Sequence, residues 1–173
     1  MFVSETYTIE DLCLYVDGSS NAHFPTASSS GGWLTTSTNI EKIPIDSPIS
    51  LPSAFEISFK GYITATGSWN IIAVGEADNC NTYAGGQFIN KGAFIRKGWA
   101  GSCNGAYLIQ ESNCCNLNEE TTVVYQYSNG THKLKIGNNE YTATDTSYTP
   151  SKFLGIGNSG TNSKMKEIKI KPL

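Results

Sequence analysis

Glu76 and Asp78 are the two residues in this chain best spaced for shared acid–base chemistry. At i and i+2 they lie on one face of an extended segment. Hydrolysis of a glycosidic bond needs two carboxyl groups about 5–10 Å apart, one of them held protonated. Glu76 closes a predicted strand and Asp78 opens a loop, so a solvated turn is the preferred reading of the pair. Glu119 and Glu120 are adjacent, and on a strand they would point to opposite faces. Nucleophilic chemistry has no better footing. His23 and His132 sit in polar surroundings, and His132, just after an Asn-Gly pair, is expected at the surface. Cys114-Cys115 has no histidine or basic neighbour in sequence to lower a thiol pKa. There is no G-x-S-x-G, phosphate-binding loop or dinucleotide fingerprint. The expectation is a protein that is not an enzyme.

The residue types that remain point to binding. Sugars are held by aromatic rings stacked on C–H faces and by planar amides or charged groups bonded to hydroxyls. Such parts concentrate between Asp78 and Gln110, in Asp78, Asn79, Asn81, Tyr83, Gln87, Asn90, Arg96, Trp99, Asn104 and Tyr107, among glycines that allow close backbone approach. Within this segment Trp99 and Tyr83 are expected to stack, and Asn81, Arg96 and Asn104 to hydrogen-bond. Trp99 sits in Lys97-Gly98-Trp99-Ala100-Gly101, where its competing role is a lid over the end of the core. Tyr62 is the outward member of a one-sided strand and joins the site if that strand lies on the ligand-facing sheet. Trp33 and Trp69 border apolar strands and read as core or rim. Asp78 and Asn79, with Asn81 close by, form an oxygen cluster that could hold calcium. Asn and Asp also fill turns for conformational reasons alone, and that reading is preferred. Asn129-Gly130-Thr131 matches a glycosylation sequon, but a hairpin explains the Asn-Gly pair without it.

These parts must be positioned by short strands. A length of 173 residues suits one β-sandwich, over 1–173, with 1–11 as a tail or edge strand. Apolar residues make up 39% of the chain and charged ones only 16%, the balance being Ser, Thr, Asn and Gly. This composition fits an all-β protein with uncharged polar turns. A net charge of −3 argues against nonspecific nucleic-acid binding. No apolar run approaches membrane-spanning length, so membrane insertion is not expected. The N-terminus has neither a basic nor an apolar signal region, so no signal peptide is expected.

Phe55, Ile57, Phe59 and Ile63 alternate with Glu56, Ser58, Lys60 and Tyr62, which predicts a strand with one buried face. Asn70 to Val74 is apolar on both faces and predicts a central strand. Asn90-Lys91-Gly92 separates two more strands. Asn129-Gly130 predicts a type I′ turn, after which Leu134 and Ile136 face the core; Asn138-Asn139 predicts a second turn. No window shows helical periodicity free of Gly, Pro or β-branched interruption. The predicted fold is an all-β, two-sheet antiparallel jelly-roll sandwich. Its expected core includes Phe55, Ile57, Phe59, Leu134, Ile136, Ile168 and Ile170.

Cys13, inside Leu-Cys-Leu-Tyr-Val, reads as a buried thiol. Cys80, Cys103, Cys114 and Cys115 lie in Gly/Asn-rich sequence. They could form one or two disulfides, stay as thiols or bind zinc; zinc ranks last because there is no C-x-x-C spacing and no nearby histidine. A Cys80–Cys103 bridge would stiffen the binding segment and lower the ordering cost of a ligand.

The end of the chain carries a resemblance. A short Gly-bounded strand, Lys152-Phe-Leu-Gly-Ile-Gly-Asn158, precedes Lys164 to Leu173, in which Ile168 and Ile170 oppose Lys169 and Lys171. This tail resembles the close of concanavalin A-like, laminin-G-like sandwich domains of the kind found in phage, virion and surface proteins. The resemblance implies a lectin-like, noncatalytic module that binds a glycan or cell-wall polymer at a virion or extracellular surface, as an adhesion domain within a larger assembly. A structural domain making protein contacts in a virion is the alternative. Catalytic members of that group carry Glu-x-Asp-x-x-Glu on one strand, a pattern absent from this chain.

Overall fold

The segment from Ala54 to Ile63 can bury one face and wet the other, because successive side chains of a strand point to opposite sides. The computed structural model describes residues 12–15, 23–24, 27–36, 40–42, 49–76, 80–88, 92–98, 105–112 and 114–173. In it Phe55, Ile57, Phe59 and Ile63 are buried, and Glu56, Ser58, Lys60 and Tyr62 are half-buried on the opposite face.

Among the described residues the strands in chain order are β1 (Leu12–Tyr15), β2 (Ser28–Ser30), β3 (Trp33–Thr35), β4 (Ile40–Lys42), β5 (Ile49–Ser50), β6 (Ala54–Ile63), β7 (Trp69–Gly75) and β8 (Thr82–Phe88). They continue with β9 (Gly92–Lys97), β10 (Tyr107–Glu111), β11 (Thr121–Ser128), β12 (Thr131–Ile136), β13 (Asn139–Thr144), β14 (Lys152–Asn158) and β15 (Ser163–Pro172). An eight-stranded sheet has the order β13-β12-β11-β6-β15-β3-β2, with β1 also pairing β15. A seven-stranded sheet has the order β10-β9-β8-β7-β14-β4, with β5 also pairing β14. All pairings are antiparallel, and the architecture is the expected two-sheet antiparallel sandwich.

β6 lies between β11 and β15. Ile57 pairs with Tyr125 on one side and Ile170 on the other, so the apolar faces of three strands coincide. The seven residues expected in the core are each at most 1% exposed. Burial of side chains of this size contributes about 1.5–3 kcal/mol each.

Two backbone details set which side chains face out. Met165, Ile168 and Ile170 are all buried, a spacing that strict alternation forbids. A register shift between Lys166 and Lys169, with Glu167 at φ +51°, absorbs the extra residue as a bulge. Lys164, Lys166, Lys169 and Lys171 consequently share the outer face of β15. At the β11–β12 hairpin, Asn129 and Gly130 have φ of +49° and +79°, and Ser128 pairs with Thr131, as a type I′ turn requires. The following turn falls one residue earlier than expected. Ile136 pairs with Asn139, leaving Gly137-Asn138 at the tip, because Gly137 takes the positive φ more easily than an asparagine would.

The seven-stranded sheet is apolar on both sides. Ile72, Val74 and Tyr83 face the shared core, while Ile71, Ala73, Ala84 and Phe94 form a separate buried cluster. The sheets are also tied by polar groups. Asn158 on β14 accepts hydrogen bonds from the Thr36 amide at 3.1 Å and the Thr36 hydroxyl at 3.0 Å, just past β3. Gly61 on β6 faces Gln87 on β8, and any Cβ there would run into the Gln87 amide oxygen.

Cys13 is exposed, contrary to expectation. Among the described strands β1 pairs with β15 alone, and an irregularity between Cys13 and Tyr15 turns Leu14 and Tyr15 inward and leaves the thiol outside.

Candidate functional site

Arg96 on β9 and Tyr107 on β10 are cross-strand partners. Arg96 also pairs with Ala84, and Phe94 with Gly86, which places Arg96, Phe94 and Tyr107 on the outer face of the seven-stranded sheet. Tyr107 is 43% exposed. It is braced from two directions: the Arg96 guanidinium carbon lies 5.7 Å from the ring centroid, and Phe94 meets it edge-on at 6.2 Å and 76°. A ring held in this way can receive the apolar face of a sugar without first losing much rotamer freedom. Beside it stands a guanidinium whose planar donors suit paired hydroxyls or a carboxylate. Gln110 is exposed on the same strand, opposite Phe94. Asn81, also exposed, precedes β8, the strand next to Arg96.

Tyr83 does not belong to this surface, which corrects the expectation that it stacks on a ligand. It pairs with Val74 and Lys97 on positions that face the core, and it is 1% exposed. Its ring packs on His132 at 4.3 Å and on Tyr148 at 5.5 Å. Its hydroxyl donates to Asp145 Oδ1 at 2.7 Å. Burial and that hydrogen bond push its pKa well up.

Asp145 is the centre of a lock between the sheets. Lys97 Nζ lies 2.6 Å from its Oδ2, and the Ser147 amide donates to Oδ1 at 2.9 Å. Burial alone would raise the carboxyl pKa, but the ammonium of Lys97 and the hydroxyl of Tyr83 outweigh it and hold the group well below the usual range. His132, expected at the surface, is fully buried beneath this lock. It is the inward residue of β12, opposite Tyr127. Its Nε2 lies 3.2 Å from the Asp145 carbonyl oxygen, which can only accept, so Nε2 carries the proton of the neutral ring. Nδ1 then accepts from the Tyr125 hydroxyl at 2.9 Å. Burial lowers the pKa of the imidazole. The whole arrangement is structural: each polar group faces another and none is presented to a ligand.

Tyr62 lies on the other side of the molecule. It faces outward from β6 in the eight-stranded sheet, so it cannot join a site with Arg96 on the outer face of the seven-stranded sheet. It meets Trp33 at 5.8 Å, with Lys164 Nζ 4.7 Å from its centroid. Trp33 is therefore an outward, half-buried residue of that sheet. A third feature is a recess of about 270 Å³ lined by Ser53, Tyr127, Asn129, Gly130, Thr146 and Thr149.

The other expected residues fall as follows. Trp99, Asn104, Asp78, Asn79 and Cys103 lie outside the described residues. Among the described residues, no group of three His, Cys, Asp or Glu side chains could hold a metal ion. Glu76 accepts a hydrogen bond from the Thr149 amide at 3.2 Å. Glu119 and Glu120 lie before β11, where Glu120 bonds Lys60 and Lys166 and Glu119 bonds Asn116, so neither is a strand residue. Cys80 is disulfide-bonded. Cys114 and Cys115 remain thiols rather than disulfide candidates. The Cys115 thiol pKa is pushed far up, first by its hydrogen bond with Cys114 and then by burial, which leaves it a poor nucleophile. Tyr107, the exposed ring, was visible in sequence only as one aromatic of the binding segment. The signal that singles it out is its register against Arg96, which appears once β9 and β10 are paired.

No protein-family model matches the sequence, and no curated protein matches it. Solved structures do. The carbohydrate-binding module CBM66 from Bacillus subtilis aligns at a TM-score of 0.62 and 13% identity, over 83% of this chain and 90% of that one. A putative glycosyl hydrolase from Parabacteroides distasonis aligns at 0.61 and 12% identity, over 100% and 98%. The CBM2 module of the evolved Dit protein of Lactobacillus casei phage J-1 aligns at 0.57 and 7% identity, over 83% and 77%. Sheep and toad ovary galectins and an agglutinin from chicken liver also match. At these identities the likeness is one of fold alone, a two-sheet antiparallel β-sandwich.

Proposed function

We propose that this protein is a noncatalytic carbohydrate-binding module whose ligand surface is the β9–β10 side of the seven-stranded sheet. The observation that carries the reading is the exposed Tyr107 ring, braced by Arg96 and Phe94. It supplies a stacking platform and a multidentate donor side by side, which is what recognition of a sugar ring requires. The carbohydrate-binding modules and galectins among the structural neighbours support it. The hydrolases among them do not supply a carboxylate pair to this chain, in which Glu76, Glu120 and Glu56 are engaged in hydrogen bonds or ion pairs of their own.

The finer reading is adhesion to a host or cell-wall polymer, by a phage tail or cell-surface protein working outside the cell as part of a larger assembly. The likeness to the phage J-1 Dit module supports it. So does the disulfide at Cys80, a bond that persists in oxidising surroundings. A purely structural virion domain is less well supported. Among the described residues the exposed large apolar side chains are Tyr107, Leu117 and Leu173, few for the apolar centre of an assembly interface.

The test is a polysaccharide and cell-wall array probed with the intact protein, followed by titration of whatever binds with Tyr107→Ala and Arg96→Ala. Affinity should fall by about 1–3 kcal/mol for the tyrosine while the melting temperature stays unchanged. An array on which nothing binds, or a bound polymer indifferent to both substitutions, defeats the proposal.

A further inference from the structure

We infer that the outer face of the eight-stranded sheet is a second ligand surface, and that it takes an anionic polysaccharide. The inference does not depend on the Tyr107 surface, which lies on the opposite side of the sandwich. It begins from charge. The chain carries 12 lysines and arginines in all and a net charge of −3. Seven of those cations are gathered on this one face: Lys60 on β6, Lys133 and Lys135 on β12, and the four lysines of β15. The β15 row exists only because the bulge at Glu167 returns Lys169 and Lys171 to the side of Lys164 and Lys166. Without it the isoleucines would occupy that side. Alternate residues of a strand are about 7 Å apart, so the row offers a linear polyanion two pairs of lysines, one on each side of the bulge.

Among the described residues the carboxylates on the face, four against seven lysines, do not cancel this charge. Glu56 bonds Lys171, Glu140 bonds Lys133, Glu167 bonds Lys60, and Glu120 is shared between Lys60 and Lys166. Lys135, Lys164 and Lys169 have no carboxylate within ion-pair distance among the described residues.

Lys164 is the most informative of the three. Its Nζ lies 4.7 Å from the Tyr62 centroid and 4.8 Å from the Trp33 centroid, while Lys166 Nζ lies 4.5 Å from Trp33. An ammonium resting on two π faces has part of its hydration replaced by the rings. It is held in place without a counter-ion, and an incoming carboxylate, sulfate or phosphate would complete it. The half-buried rings are covered by the ammonium groups, which disfavours the open base-stacking that single-stranded nucleic acid requires. A sugar polymer bearing anionic groups needs the charges and only the edges of the rings.

The experiment is affinity electrophoresis of the full chain through native gels containing polygalacturonate, heparin or neutral dextran, with binding of a single-stranded DNA oligonucleotide measured in parallel. Polygalacturonate and heparin separate carboxylate from sulfate as the group preferred. The expected result is retardation by at least one polyanion and none by dextran, weakening as salt is raised. The double substitution Lys164→Glu with Lys169→Glu should reduce the affinity about tenfold or more, and Lys164→Gln alone should reduce it measurably, both with unchanged melting temperature. Lys152→Glu, on the other sheet, should leave it unchanged. Absence of retardation by either polyanion overturns the inference, and the lysines then serve only to cover the rings. An equal loss with Lys152→Glu overturns it as nonspecific charge attraction. DNA binding as tight as the better polysaccharide also overturns it, in favour of a nucleic-acid surface. Failure of any of these arms leaves the Tyr107 titration unaffected.

Discussion

The eight-stranded sheet separates its two faces by polarity, whereas the seven-stranded sheet does not. On β6, β12 and β15, the residues facing the core are apolar apart from His132 and Ser163, and Lys, Glu, Ser, Thr or Tyr predominate on the outer face. On β7 and its neighbours, both sides bury apolar groups: Ile72 and Val74 on one, Ile71, Ala73, Ala84 and Phe94 on the other. A sheet wet on one side needs no further layer, and its outer face is free to carry charge. Among the described residues of the seven-stranded sheet, the large apolar side chain left exposed is Tyr107, on the edge strand β10. The two candidate ligand surfaces differ accordingly. One is a broad, lysine-rich plane; the other is a single braced ring beside a guanidinium.

The sharpest way to break this contrast is to truncate one phenylalanine in each layer. Phe59→Ala, in the shared core, should cost about 3–5 kcal/mol in urea denaturation. Phe94→Ala, in the outer cluster of the seven-stranded sheet, should cost about 3 kcal/mol because that side chain is buried as well. A loss under 1 kcal/mol at Phe94 would mean that this face behaves like the wet face of the other sheet.

The lock between the sheets comes next. Asp145→Asn removes the partner of Lys97 and weakens the acceptor of Tyr83, and should cost about 2 kcal/mol. Lys97→Met in the same background should add little further, because the two residues share one interaction. Fully additive losses in that double-mutant cycle would show that the ion pair contributes nothing to the tie.

The pH dependence should report the same region at lower amplitude. The folded-state pKa of His132 lies below its ordinary value of 6.5, so the unfolded chain binds more protons just below that pH. The histidine's contribution to stability is present above pH 6.5 and is lost as the pH falls below it. Asp145 acts further down. Its folded pKa is depressed below 3.8, so its contribution holds above that pH and fades as the pH falls toward the folded value. His132→Gln should flatten the first decline and leave the second. A melting temperature constant from pH 7 to 5 in the native protein would contradict the buried, neutral assignment.

The smallest effect belongs to the wet face. Val124 on β11 faces outward between Ser58 and Lys135, and Val124→Thr should change stability by no more than about 0.5 kcal/mol. A larger loss would indicate that something packs on this sheet, which would compete with the polyanion surface.

Strict alternation in Phe55, Ile57 and Phe59, the Asn129-Gly130 turn and the Ile168/Ile170 pair were legible in sequence, because each is a local pattern whose geometry involves neighbours one or two residues away. That was enough for the fold class, the eight-stranded core and the segment in which Arg96 and Tyr107 lie. What only the tertiary structure decided was which face of a strand points inward when both are apolar, and which distant strands pair. Tyr83 turned out to be core and Tyr107 surface, although both are tyrosines in the same polar segment, because Val74 and Lys97 fix the register of one and Arg96 that of the other. His132 became buried because its position on β12 alternates with Lys133, and the Asp145 carbonyl and the Tyr125 hydroxyl satisfy both ring nitrogens inside. Trp33, Tyr62 and Lys164 meet because β15 inserts between β3 and β6, a juxtaposition over more than a hundred residues that no local periodicity encodes. Period two assigns residues to faces; only the long-range hydrogen-bonded pairing of strands decides what those faces meet.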